Sequence, residues 1–367
     1  TEAAIDLTTS SSGTHFDRWR SRVSGLPEYG GELPVAALAE EMLTEGEGQI
    51  RALVTVAGNP VLSTPNGRQL EQALDGLEFM LSIDPYINET TRYADLILPP
   101  TGPLEHDHYD MTFNSFAVRN VARFNQPVLD KPAGALHDWE IFVGLAKAFA
   151  AKLEVELKPT MAPAQLIDMG LRMGRYGDKS EHQLSLAKLL EHPHGIDLGA
   201  LKPSLAARLN TPGKQVQAAP ALLLSDLPRF AEQALPKADE LLLIGRRHVR
   251  SNNSWMHNYH RLVKGKPRHQ LLMNPADLAQ RGLADGQLVR VRSRVGAIEV
   301  EVAASDEMMA GVVSLPHGWG HARPGVQMSI ASAQPGASAN DLTDERQLDA
   351  LSGNAALNGV PVEVEAA

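Results

Sequence analysis

The chain has 367 residues, 43% hydrophobic and 21% charged, with a formal net charge of −10. That length allows more than one core of ordinary soluble type, and the acidic balance argues against nucleic acid as a partner. With no cysteine, the chain has no disulfide, thiolate metal site, iron–sulfur ligand or cysteine nucleophile, and no apolar run approaches the roughly 18 residues of a membrane helix.

The N-terminus opens on TEAAIDLTTSSSGT, a polar Ser/Thr stretch that reads as linker, and residues 1–30 are assigned to it. Thr1 is not an initiator Met and no signal-peptide apolar core follows, so a fragment is the favoured expectation. Pro34 to Leu43 has helical composition with Pro in the first turn. Ile50 to Val56 is apolar and β-branched, the pattern of a strand buried on both faces of a parallel sheet, and ends in Gly58-Asn59-Pro60. Leu70, Ala73, Leu74 and Leu77 mark one helix face. Strands follow at Phe79 to Ile83, ending at Asp84, and at Leu96 to Leu98. That rhythm predicts βαβ units.

Asp138 to Leu153 predicts a helix with Ile141, Leu145, Ala148 and Phe149 on one face. Ala162 to about Leu209 reads as broken helix, Pro212 to Pro220 as a loose linker, and Glu240 to Ile244 as another buried strand. The period then changes. Val289 and Val291 alternate with Arg290 and Arg292; after a turn at Val295-Gly296, Ile298, Val300 and Val302 alternate with Glu299 and Glu301. This is a hairpin with one wet face. With Gly311 to Leu315 as a further strand, the last domain is expected to be a small β-barrel.

In open α/β sheets ligands bind at the carboxyl ends of strands, where Asn59 and Asp84 stand. Asp84 suits a ribose or the paired donors of a guanine edge, or it simply caps a turn. Neither the dinucleotide glycine fingerprint nor the P-loop is present. Glu105-His106-Asp107-His108, His192 with His194, and His317 with His321 lack helical metal-site spacing and read as solvated or hydrogen-bonding histidines. The segment Gly245-Arg-Arg-His-Val-Arg-Ser-Asn-Asn-Ser-Trp-Met-His-Asn258 gathers many cationic and neutral donors, which suits a pyrophosphate. No catalytic group is visible.

Several segments in collinear order resemble the bis-molybdopterin-guanine-dinucleotide oxidoreductases, the superfamily of formate dehydrogenase, dimethyl sulfoxide reductase and nitrate reductase. They are AGNPVLSTP from Ala57, SIDPYINETTRYADLILPPTGPLEHD from Ser82, NSFAVRN from Asn114, HDWEI from His137, the Gly245–Asn258 loop, and NPADLAQRGLADGQLVRVRSRVGAIEVEV with GVVSLPHGWGH. The resemblance implies an α/β parallel-sheet (Rossmann-like) domain at 31–235 and a mainly β double-psi barrel that binds the dinucleotide at 236–367. It places Asn59, Ile83, Asp84, His106 and Asp138 at the guanosine ends of the cofactor, His106 standing where the family often has lysine. It places Gly245, Arg246, Ser254, Trp255 and His257 around the pterin and pyrophosphate, and adds Asn340 and Asn358 in the barrel. The family's cluster domain and molybdenum-ligating residue have no counterpart here. The implied protein is therefore the cofactor-binding C-terminal portion of a molybdenum or tungsten enzyme, inactive alone. Its partners would be the missing N-terminal domains, which alone would hold any iron–sulfur cluster, and an electron-transfer subunit. The cytoplasm is favoured over the periplasm. The competing reading is a non-catalytic subunit like the large peripheral subunit of respiratory complex I.

Overall fold

The computed structural model describes residues 3–5, 15–232 and 240–367. The chain divides into two compact units, one of Thr1–Gly13 with Pro99–Ala218 and one of Thr14–Leu98 with Ala219–Ala367. Most of the opening polar stretch lies outside the described residues; the rest of the expected linker carries a small antiparallel pair, β1 (Phe16–Arg20) and β2 (Pro27–Tyr29).

The larger unit holds the parallel sheet. Helix α1 (Leu38–Leu43) leads to β3 (Ala52–Val56), then α2 (Pro60–Ser63), α3 (Gly67–Asp75), β4 (Phe79–Ile83) and β5 (Leu96–Ile97). The sheet order is β3-β4-β5, all parallel, with Val56 opposite Ile83. Leu70, Ala73 and Leu74 of α3 are buried and pack with Met80 of β4, so the helical stripe read from the sequence is the face that meets the sheet. Strand β3 departs from expectation. Val54 and Val56 are 49% and 45% exposed, because the face of β3 that carries them has no covering element among the described residues.

The smaller unit contains β6 (His108–Tyr109), β7 (Asn120–Ala122), β8 (Phe124–Asn125), α4 (Asp138–Leu153), α5 (Pro163–Met173), α6 (Leu186–Leu190) and β9 (Ile196–Gly199). Its core gathers Ala122, Phe124, Leu171, Leu184, Leu189 and Leu198. Helix α4 spans the predicted residues, but of its apolar stripe only Ile141 is fully buried, while Phe149 is 59% exposed. A stripe at the right period needs a covering element, and α4 has little. Strand β9 was not legible within the expected helical stretch; it pairs with β7 across the sequence.

The C-terminal part of the larger unit is a closed barrel of β10 (Leu241–Arg246), β11 (Leu271–Met273), β12 (Leu288–Arg292), β13 (Ala297–Ala304), β14 (Val312–Pro316) and β15 (Val360–Ala366), ordered β10-β14-β11-β13-β12-β15. Leu243, Leu271, Val289, Val291, Val300, Val302, Val313 and Val362 fill it. On the outer face Arg290 pairs with Glu299 at 3.0 Å, the cross-strand match implied by the alternation. Because β10 and β14 are parallel, with Arg246 opposite Pro316, the loops that follow them leave the barrel at the same end.

Candidate functional site

At the carboxyl ends of β3 and β4, Ala57 N donates to the Ile83 carbonyl at 2.9 Å and the chain turns into Asn59. Ile83 is fully buried with its oxygen engaged, so its contribution is to hold the strand end rather than to offer a side chain. Asp84 is 2% exposed and accepts from Tyr86 N at 2.8 Å and Asn88 Nδ2 at 3.2 Å. Burial raises its pKa to about 6, with the nearby Glu89 charge adding to the effect and the two hydrogen bonds opposing it. Each of its carboxylate oxygens thus accepts one hydrogen bond within an Asx-type turn, the capping role.

Asn59 is buried. Its Nδ2 donates to Glu89 Oε2 at 2.7 Å and its Oδ1 accepts from Thr90 Oγ1 at 2.7 Å. Glu89 Oε1 meets His321 Nδ1 at 2.8 Å, and His321 Nε2 meets His257 Nδ1 at 2.9 Å. Glu89, His257 and His321 are all within 1% of full burial. Burial works against the Glu89 charge, but the hydrogen bond and charge of His321 and the Asn59 amide outweigh it, and the pKa is lowered. For His257, burial first and the neighbouring His321 second push the pKa down to about 3. The Gly318 main chain favours the protonated ring slightly, yet His257 Nε2 has no well-formed hydrogen bond. Trp319 lies against His257 at 4.1 Å between ring centroids, tilted 32°.

The loop after β10 packs against the loop after β14. Gly318 has φ +88°, and a Cβ there would fall 2.1 Å from the Asn253 carbonyl oxygen, so only glycine lets the two backbones meet. The Arg246 guanidinium is half-buried and donates to the Ser314 carbonyl and the Gln270 carbonyl, each at 3.0 Å. Burial lowers its pKa, and no acid opposes that. Among the described residues no carboxylate lies within ion-pair distance of Arg246, Arg247, Arg250 or Arg268. Burial and this crowd of arginines also hold His248 below its ordinary value. Arg247, His248, Ser251, Asn252, Asn253 and His317 line an open cleft of about 510 Å³. Asn252 and Asn253 both sit at positive φ, 43° and 58°, conformations asparagine tolerates better than most residues. Ser254 and Trp255 are half-buried in the same loop.

Gly245 N donates to Asn358 Oδ1 at 2.7 Å, so these two predicted residues meet at the strand end. Asn340 is buried; its Nδ2 donates to the Thr64 carbonyl at 2.8 Å, and its side chain faces His317. His106 and Asp138 belong to the other unit. There His106 Nδ1 approaches the Asp107 carbonyl at 2.8 Å and its ring lies 6.2 Å from that of His137, while Asp138 opens α4. Sequence reasoning missed Glu89, His321 and Trp319 as functional candidates. The signal available was the clustering of Glu89 with Asn88, Thr90 and Thr91, and the two glycines flanking Trp319. No group of three or more potential metal ligands forms among the described residues.

The arrangement is a polar, cation-rich rim beside a buried hydrogen-bonded chain, with donors suited to phosphate oxygens and, among the described residues at the site, no nucleophile poised beside a base. Two family models match. The molybdopterin oxidoreductase model covers residues 9–148 and the molydopterin dinucleotide binding domain covers residues 241–361, together more than half of the chain. The assimilatory nitrate reductase catalytic subunit of Bacillus subtilis is 37% identical over 119 residues, 32% of this chain and 16% of its own length. The F420-dependent formate dehydrogenase subunit alpha of Methanocaldococcus jannaschii is 26% identical over 313 residues, 79% of this chain and 42% of its own length. The chain thus spans less than half the length of these relatives. Acetylene hydratase from Pelobacter acetylenicus shares the fold at a TM-score of 0.63 and 17% identity, over 90% of this chain and 46% of that one. With a parallel sheet, a closed barrel and two matched domain models, this chain belongs to the molybdopterin oxidoreductase family.

Proposed function

We propose that the chain is the cofactor-binding portion of a larger molybdenum or tungsten oxidoreductase of formate dehydrogenase or nitrate reductase type, and that it does not turn over alone. The observation that carries this reading is the set of arginines after β10, Arg246, Arg247 and Arg250, left without acidic partners beside the cleft at Asn252 and His317. Clustered guanidinium groups with no carboxylate beside them are suited to charge-assisted bonds with phosphate oxygens, which a dinucleotide's diphosphate supplies. When bound, the pterin dinucleotide supplies the redox metal centre. Arg246, Arg247 and Arg250 would hold the diphosphate, Asn59 and Asp84 a guanosine end, and His257 the pterin. His106 and Asp138 are assigned to the second guanosine, and Ser254, Trp255, Asn340 and Asn358 to the barrel's share of the contacts. In this reading residues 31–235 and 236–367 correspond to two successive domains of the parent enzyme. The enzyme is completed by N-terminal domains and an electron-transfer partner.

The test is retention of molybdopterin guanine dinucleotide released from a donor enzyme, read as pterin fluorescence after gel filtration of the chain. Retention is expected, with no formate or nitrate turnover. Replacing Arg247 and Arg250 together by Ser is expected to weaken retention by at least roughly 10- to 100-fold, the worth of one charge-assisted bond. Equal retention by wild type and this variant would sink the assignment of the loop; turnover by the chain alone would sink the claim of inactivity.

A further inference from the structure

Hydrogen-bond direction is fixed at one end of the buried chain that runs from Asn59 to His257. Thr90 Oγ1 accepts from Val61 N at 3.1 Å, which leaves its own hydrogen for Asn59 Oδ1. The Asn59 amide must therefore turn Nδ2 toward Glu89 Oε2. Glu89 accepts at both oxygens, from Asn59 and from His321 Nδ1. A neutral imidazole carries one N–H. With that hydrogen on Nδ1, His321 Nε2 is an acceptor, and its partner His257 Nδ1 must donate. His257 Nε2 is then a lone pair, buried and without a well-formed hydrogen bond among the described residues, with the Gly318 main chain slightly favouring the protonated ring.

We propose that Glu89 and His321 are positioning residues that fix the tautomer of His257, and that the three side chains form a proton wire open only at His257 Nε2. A proton arriving at that atom forms an N–H bond there. The Nδ1 hydrogen of His257 passes to His321 Nε2, and the positive charge comes to rest on His321 against the Glu89 carboxylate. His257 is neutral before and after, in keeping with a pKa held near 3 by burial. The other titratable group against Trp319 is His269, itself kept low by burial and bonded through Nε2 to the main chain of Ala337. On the reading of the loop proposed above, the wire gives the loop's buried histidine an acceptor that becomes a donor on uptake of one proton.

The experiment is nitrogen-15 NMR of the histidine rings in the chain without cofactor, with His257 assigned by the loss of its signals in His257→Gln. At about pH 9, well above the usual histidine range, His257 is expected to show a pyridine-type Nε2 and a pyrrole-type Nδ1. On acidification the two types should exchange without an imidazolium signal from His257. Glu89→Gln is the sharper case. Asn59 still needs an acceptor, so the new amide presents its oxygen to Asn59 and its NH₂ to His321. Every bond in the wire reverses, and His257 Nε2 becomes pyrrole-type at high pH. Glu89→Asp, which keeps an acceptor, should restore the wild-type pattern. A pyrrole-type Nε2 in the wild-type chain at high pH overturns the proposal, as does a folded Glu89→Gln chain with an unchanged Nε2. If Glu89→Gln does not fold, the wild-type titration decides. Because no cofactor is present, failure here and failure of cofactor retention are separate results.

Discussion

At the scale of single residues, two buried groups give the chain opposite responses to pH. The pKa of His257 is depressed to about 3. Its contribution is fully present above the unfolded value of about 6.5 and is lost as pH falls toward 3, by about 2–4 kcal/mol. The pKa of Asp84 is raised to about 6. Its contribution is fully present below about 3.9 and is lost as pH rises through 6. Urea midpoints measured from pH 4 to 8 should therefore show His257→Gln with a flatter acid limb than wild type. Asp84→Asn should gain on wild type as pH rises from about 4 to 6, by about 1–2 kcal/mol after discounting for solvent screening. Parallel curves for wild type and both variants would refute the burial assigned to these side chains. Asp84 was legible as a site residue because it ends an apolar run. Glu89 and His321 were not, since they lie 232 residues apart and only the fold joins them.

Among elements, the barrel strands carry the clearest sequence pattern and the clearest energetic contrast. Leu271 on β11 is completely buried in the barrel, so Leu271→Ala is expected to cost about 2–5 kcal/mol in denaturant unfolding. Breaking the exposed Arg290–Glu299 pair by Arg290→Ala should change stability by less than about 1 kcal/mol. If the two substitutions cost the same, the inner and outer faces of the barrel are wrongly assigned. Period-2 alternation revealed β12 and β13 because one face is wet and the other dry. The same logic misjudged β3, whose apolar run implied cover on both faces while Val54 and Val56 stand open. An apolar side chain records that a surface is to be covered, not what covers it.

At the scale of the whole molecule, apolar side chains stand open in clusters among the described residues. Phe113, Phe116 and Val118 are 72%, 80% and 89% exposed within one loop, and Phe149 and Leu153 of α4 are 59% and 67% exposed. Patches of this kind mark interfaces or association hazards. The native chain is expected to bind a fluorescent apolar dye and to associate with rising concentration, and Phe113→Ser with Phe116→Ser should reduce both. Dye binding no greater than that of an ordinary soluble protein, or unchanged by the two substitutions, would show that the loop is covered in solution.

The sequence by itself determined the parallel α/β pattern, the alternating barrel strands, the cation-rich loop after Ile244 and the family. All of these rest on residues close in the chain, where periodicity and donor density act locally. Tertiary structure alone decided that Asn59, Glu89, His321 and His257 form one buried chain, that the loops after β10 and β14 leave the barrel together, and that Gly318 must be glycine to let them touch. Hydrogen bonds act over about 3 Å in space and carry no trace of sequence separation, so partners brought together by strand pairing leave no pattern along the chain.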